Sequence, residues 1–305
     1  MAKKTAFLSK VQYWLTLAFL HSLRVFTWLP YSLQLKLGRH LGRILLKKSG
    51  KMRKVASTNL ELCFPELSQQ QRDALLVKNF EELGMGFFET LFAAWGSISR
   101  LRPLLHSVAG LEDVKTTLAE GKGVILLFPH LIPMYFVGQL LLNSANLPFA
   151  LMYHSPKNRA LSDFMLTKLQ TCCAAVFNRR DIKKMIHYLQ QGRLVWYAPD
   201  LDLGAKSSLF IPFFGLPAAT LTTPRRLADL TGAKLFPIAF YRREQLDGFD
   251  VIIHPALNDF PSEDEVNDLT RINATLETII RHQPEMYLWQ YRRFSTRPEG
   301  EKKVY

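Results

Sequence analysis

Cysteine is nearly absent from this chain: Cys63, Cys172 and Cys173 are the three among 305 residues. Thiols at those positions build neither a disulfide framework nor a tetrahedral zinc site. The adjacent pair reads as small buried hydrophobes rather than redox partners, which suits a reducing compartment. Internal repeats, low-complexity tracts and linkers are missing too, which excludes solenoids and loosely tethered arrays. Acidic side chains are in deficit, 26 against 39 Lys and Arg, leaving a net charge of +13. That excess points to an anionic partner: nucleic acid, a membrane surface or a phosphorylated substrate.

A clean membrane span is also lacking. Tyr13 to Pro30 approaches the roughly 20 apolar residues a bilayer crossing needs. His21 and Arg24 interrupt it, and each charge at mid-bilayer costs about 2.5–3.5 kcal/mol. No small-residue cleavage pattern follows, so the segment is not read as a secretory signal. It is expected to be a tilted, interfacial or half-inserted anchor, with Trp14, Trp28 and Tyr31 at headgroup level. Behind it Lys36, Arg39, His40, Arg43, Lys47, Lys48, Lys51, Arg53 and Lys54 alternate with Leu35, Leu37, Leu41, Ile44, Leu45 and Leu46. This is an amphipathic basic element able to lie on an anionic leaflet, although a solvated face packed on the rest of the protein gives the same pattern. Charge directly behind an apolar segment favours the cytoplasmic surface of a membrane over nucleic acid, for which no reading motif is present. Residues 1–55 are thus expected to form the helical anchor and residues 56–305 a single α/β domain.

With hydrophobic residues at 48%, that domain can bury a sizeable core. From 56 to 106 the pattern is helical. Ser68 and Gln71 make a capping box, and Leu75, Leu76, Phe80, Leu83, Phe87, Phe88 and Leu91 follow at helical steps. Beyond Gly110 strands alternate with helices. Strands are expected over 124–128, 149–153, 194–198, 234–241 and 249–254, with helices over 134–142, 158–170, 181–191, 223–230 and 263–283. That alternation predicts a mostly parallel central sheet flanked by helices on both faces.

Three clusters stand at the ends of those strands. His130 closes the unbroken apolar run Val124-Ile-Leu-Leu-Phe-Pro-His130, so a rigid strand presents an imidazole able to transfer protons near neutrality. On these residues alone a structural histidine fits equally well. Asp200 and Asp202 follow another strand and could bind a metal, fix a histidine or cap a turn, the last being common for Asp close to Gly. No His or further carboxylate nearby completes a metal set, so neither metal nor cofactor is expected. Arg179 and Arg180 precede one helix and Arg225 opens another, positions that bind phosphate or simply face solvent. The aromatic turn within Phe210–Thr220 fits a wall of an acyl-chain pocket or ordinary core.

Asn59–Leu67, Glu120–Leu127, Trp196–Asp202, Ile211–Thr220 and Pro284–Phe294, in that order and spacing, resemble the late acyltransferases of lipid A biosynthesis, the lauroyl and myristoyl transferase family of Gram-negative inner membranes. The resemblance covers nearly the whole chain. It implies transfer of a fatty acyl group from acyl carrier protein to a hydroxyl of an anionic glycolipid, a lipid A precursor of the Kdo-lipid IVA type, at the cytoplasmic face of the inner membrane. The family signature H-x-x-x-x-[D/E] places the general base at His130. Its carboxylate position falls on Tyr135, which is not an anion at neutral pH. The resemblance therefore leaves Asp200 or Asp202 to orient His130, and Arg179, Arg180, Arg225 and Tyr135 to meet substrate. A second departure is Tyr291, where the family has histidine in W-x-H-R-R. The alternative implied by Tyr135 is a catalytically impaired homologue that binds lipid or an acyltransferase partner.

Overall fold

The computed structural model describes residues 2–178 and 181–305, with side chains from Val11 onward apart from Cys172. Five helices come first: α1 (Ala2–Ser22), α2 (Tyr31–Lys48), α3 (Gly50–Cys63), α4 (Gln69–Trp95) and α5 (Ile98–Leu101). An alternating stretch follows: β1 (Leu105–Ala109), α6 (Leu111–Ala119), β2 (Val124–Leu127), α7 (Met134–Ser144), β3 (Ala150–Tyr153), α8 (Arg159–Cys172), β4 (Ala175–Asn178), α9 (Ile182–Gln190) and β5 (Leu194–Tyr197). Then come β6 (Ser208–Phe213), β7 (Leu216–Leu221), α10 (Thr223–Thr231), β8 (Lys234–Arg242), β9 (Phe249–Ile253) and α11 (Glu265–His282).

Seven strands make one sheet in the order β1-β9-β8-β2-β5-β3-β4. Among the described residues only β8 and β9 pair antiparallel within it, so the expected α/β architecture is present. β2 and β5 lie inside the sheet and are buried throughout, which is why both read as unbroken apolar runs. Polar caps fix the helix starts. Ser68 and Gln71 form the capping box of α4, Asn158 caps α8 through Leu161 N–H, and Asp264 caps α11 through Asn267 N–H. The edge strands β1 and β4 are half exposed and carry too little apolar alternation to stand out in sequence. The aromatic turn is the tip of the β6–β7 hairpin, with Phe214 and Gly215 both at positive φ, as a two-residue hairpin turn of the primed type requires. Phe213 and Phe214 pack on Phe64, Trp289 and Phe294, so this turn belongs to the core.

The N-terminal region needs correction. Among the described residues no helix is long and apolar enough to cross a membrane, so the expected anchor is not supported as a span. α1 gives way after Ser22 to a 3₁₀ turn over Leu23–Trp28. Trp14, Leu15, Phe19 and Trp28 are exposed, but Tyr31 turns inward to donate to Glu89 at 2.5 Å. Helix α2, assigned above to the anchor, packs closely along α4. A Cβ added at Gly42 would lie 2.0 Å from the Phe80 carbonyl oxygen, and one at Gly84 2.0 Å from that of Gly38. Lys36, His40, Lys47 and Lys48 are exposed on α2, while Arg43 reaches across to Glu81 of α4 at 2.6 Å.

Candidate active site

Parallel pairing sets Leu127 of β2 beside Tyr197 of β5. Each strand then runs through a proline, Phe128-Pro129-His130 and Ala198-Pro199-Asp200. Proline removes the N–H a ladder needs and ends the pairing, but the common offset keeps His130 beside Asp200. The imidazole Nδ1 lies 2.5 Å from Asp200 Oδ1, and Asp200 Oδ2 accepts the His130 backbone N–H at 2.9 Å. One carboxylate thereby holds both the ring and the main chain that carries it, and the His130 carbonyl accepts Leu288 N–H at 3.0 Å. Asp200 is 1% exposed and His130 14%, so the carboxylate is sealed while the imidazole can be reached. Donation from Nδ1 to the carboxylate assigns the proton there and leaves Nε2 as the basic nitrogen.

Burial would raise the Asp200 carboxyl, but the charge and hydrogen bonds of His130, with Arg293 close by, outweigh it and hold the group below its ordinary 3.8. Burial and the neighbouring Asp200 keep the Tyr287 phenol well above its usual 10, so it remains a neutral donor toward the carboxylate. The Arg293 guanidinium is buried, donating to the Ala219 carbonyl at 2.7 Å and to Thr220 Oγ1 at 3.2 Å. Tyr287 and Arg293 escape sequence reasoning. Their only signal is their place in Pro284–Phe294, whose register against the strand ends is a matter of tertiary structure.

Asp202 does not join the histidine. Its carboxylate accepts Gly204 N–H at 3.0 Å, Thr296 N–H at 2.6 Å and Thr296 Oγ1 at 2.7 Å, pinning the C-terminal segment to the loop after β5. The chain beyond Tyr197 is no longer a strand, so the two-residue alternation that would bring both carboxylates to one side is lost. Tyr291 donates to the Asp202 carbonyl at 2.7 Å. Arg225 is engaged elsewhere. It donates to Asp268 Oδ2 at 3.0 Å and to the Ser262 carbonyl at 2.6 Å, bracing α10 against the start of α11. Arg179 and Arg180 lie outside the described residues. Among the described residues no group of three or more His, Cys, Asp or Glu is arranged to hold a metal ion.

Three cavities meet at the start of α7, and two of them reach His130. A pocket of about 340 Å³ at the strand ends is lined by His130, His154, Trp196 and Leu201. An open, almost wholly apolar groove of about 600 Å³ runs between α2 and α4 past Leu41, Leu83 and Phe87, and also touches His130. A narrower slot of about 130 Å³ lies between α4, α7 and α8. Met134 and Tyr135, in the first turn of α7, line all three. Tyr135 thus stands at the junction as wall, and the carboxylate beside His130 is Asp200. A reachable imidazole oriented by a buried carboxylate, beside wide apolar spaces, can deprotonate a hydroxyl on an amphiphile.

Comparison with known proteins shows the family. The profile of the family "Bacterial lipid A biosynthesis acyltransferase" matches residues 1–296. The chain is 35% identical over 292 residues to a lipid A biosynthesis lauroyltransferase of Escherichia coli, covering 95% of this chain and 94% of the relative. It is 32% identical over 296 residues to a lipid A biosynthesis palmitoleoyltransferase of the same organism, covering 96% and 95%. A lipid A biosynthesis myristoyltransferase from Escherichia coli is 28% identical over 271 residues, covering 88% and 82%. The chain belongs to the bacterial lipid A biosynthesis acyltransferases.

Proposed function

We propose that this acyltransferase moves a fatty acyl group from acyl carrier protein to a hydroxyl of a lipid A precursor of the Kdo-lipid IVA type, with His130 as general base and Asp200 as its orienting carboxylate. The observation that carries this reading is the 2.5 Å contact between His130 Nδ1 and Asp200 Oδ1. His130 Nε2 takes the acceptor hydroxyl proton as its oxygen attacks the thioester carbonyl. The resulting tetrahedral centre collapses, the C–S bond breaks, and the imidazolium returns the proton to the departing thiolate. Asp200 steadies the positive ring meanwhile. No resident cofactor enters this scheme.

Support for action at the cytoplasmic face of the inner membrane comes from the exposed Trp14, Leu15, Phe19 and Trp28. Close in sequence is the exposed basic face of α2. Apolar and cationic surfaces together suit an anionic leaflet and an anionic glycolipid better than nucleic acid. The test is transfer by the purified protein in mixed micelles containing a lipid A precursor and an acyl carrier protein thioester, read by mass spectrometry. Wild type is expected to add one acyl group, and a folded His130→Ala variant none. Undiminished transfer by that variant would overturn the assignment.

A further inference from the structure

The slot between α4, α7 and α8 adjoins the His130 pocket: Met134, Tyr135, Leu151 and Trp196 line both. Its walls lead away from the catalytic end of the sheet. β3 runs parallel to β5, so its C-terminal end lies toward His130. Phe149, two residues before Leu151, therefore sits roughly 7 Å deeper at about 3.3 Å per residue. On α7, Gly138 is about one helical turn, roughly 6 Å, beyond Met134. There the two walls touch: a Cβ added at Gly138 would meet Phe149 Cζ at 3.0 Å. The slot accordingly narrows where helix and ring close on each other. The α2–α4 groove is larger and more open.

Resting on the acyl-transfer reading above, we infer that this slot holds the tail of the transferred acyl chain and that Gly138 and Phe149 at its inner end set the chain length accepted. At 3.0 Å an added Cβ needs the Phe149 ring to give by a few tenths of an ångström. A side chain at 138 both fills the slot and presses on that ring. Removing the ring at 149 lengthens the slot. A methylene that gains or loses its place in an apolar pocket changes the rate roughly 10- to 200-fold, so one altered contact is enough to move the preferred length.

The experiment offers wild type, Gly138→Ala and Phe149→Ala a ladder of acyl carrier protein thioesters from decanoyl to palmitoyl, with the lipid A precursor in micelles. Gly138→Ala is expected to shift the preference to shorter chains and Phe149→Ala to longer ones, each by about tenfold or more in the ratio of neighbouring lengths. Unchanged ratios in folded variants would overturn the inference. An independent readout that needs neither folding of a variant nor turnover is photolabelling of wild type by a donor thioester carrying a terminal diazirine. Label on the peptides holding Gly138 and Phe149 supports the slot. Label on Leu41 or Leu83 in the open groove overturns it. Absence of transfer of any chain by wild type would instead overturn the acyl-transfer reading, with the photolabel still reporting where the donor tail lies.

Discussion

His130 and Asp200 stand at equivalent positions on adjacent parallel strands, each three residues past the paired Leu127 and Tyr197, and the carboxylate of one grips both the ring and the backbone of the other. Replacing Asp200 by Asn keeps the shape and removes the charge that steadies the imidazolium. Transfer is expected to fall about 10²–10⁴-fold, mainly in kcat. A loss of less than threefold in a folded Asp200→Asn protein would remove Asp200 from the mechanism. The same pairing predicts an acid limb of stability. The folded-state pKa of Asp200 lies below its ordinary 3.8, so the unfolded chain binds protons more readily there. The contribution of this carboxylate is fully present above 3.8 and is lost as pH falls through the lower folded value. Asp200→Asn should flatten that limb in acid denaturation.

Tyr135 stands five residues past His130 and shares two cavities with it, yet Nδ1 is already bonded to Asp200. Tyr135→Glu alone is therefore expected to give no gain in rate, since it adds a carboxylate to an apolar junction while Nδ1, the nitrogen that orients the ring, is already held by Asp200. In the Asp200→Asn background the same change should recover part of the loss, because a glutamate can then take over Nδ1. The double-mutant cycle measures this as a coupling between positions 135 and 200. Strictly additive effects would mean that the two positions do not exchange roles.

Much of this was legible in the sequence. The interior strands β2 and β5 announced themselves as apolar runs because both faces are covered, and that placed His130 and Asp200 at strand ends. What the sequence left open was adjacency. Choosing Asp200 over Asp202 depends on β2 and β5 being neighbours in register and on the chain leaving strand geometry after Tyr197, both set by crossovers distant in sequence. Arg225 was misleading for a similar reason. Its helix-start position fits phosphate, but Asp268, forty-three residues on, is its partner. Tyr31 looked like an interfacial aromatic because the chain alone does not reveal a buried carboxylate on another helix.

That carboxylate belongs to a second buried polar cluster. The Arg242 guanidinium meets Glu82 through Nε at 2.9 and 3.0 Å, and Glu89 through its two terminal nitrogens at 2.6 and 2.8 Å. A single cation thus faces two buried acids. Burial, with help from Glu89 and against the pull of Arg242, raises the Glu82 carboxyl from 4.5 to about 7. The folded state therefore binds the proton more tightly than the unfolded chain, and stability should decline as pH rises from 4.5 toward 7, by on the order of 3 kcal/mol. Glu82→Gln carries no titrating proton. Its Tm relative to wild type should climb across that interval and level off above it, and parallel Tm curves for the two proteins would refute the account.

The exposed aromatics of the N-terminal region support a last prediction. Tyr13 donates to Asp163 at 3.0 Å and so ties α1 to α8, which fixes the helix that carries Trp14. Trp14 and Trp28 remain 66% and 71% exposed, and burying a large apolar side chain is worth about 1.5–3 kcal/mol. Each is therefore worth about tenfold or more in membrane partition, and a Trp14→Ser, Trp28→Ser double variant should bind lipid vesicles roughly a hundredfold more weakly, with neutral and anionic lipids alike. Lys47→Glu with Lys48→Glu acts through charge and should weaken binding only to anionic vesicles, an effect that added salt suppresses. Undiminished vesicle binding by the tryptophan variant would mean that this face does not meet the bilayer. The α2–α4 groove, which includes Phe19 of α1, would then have no lipid phase beside it from which to draw an acceptor.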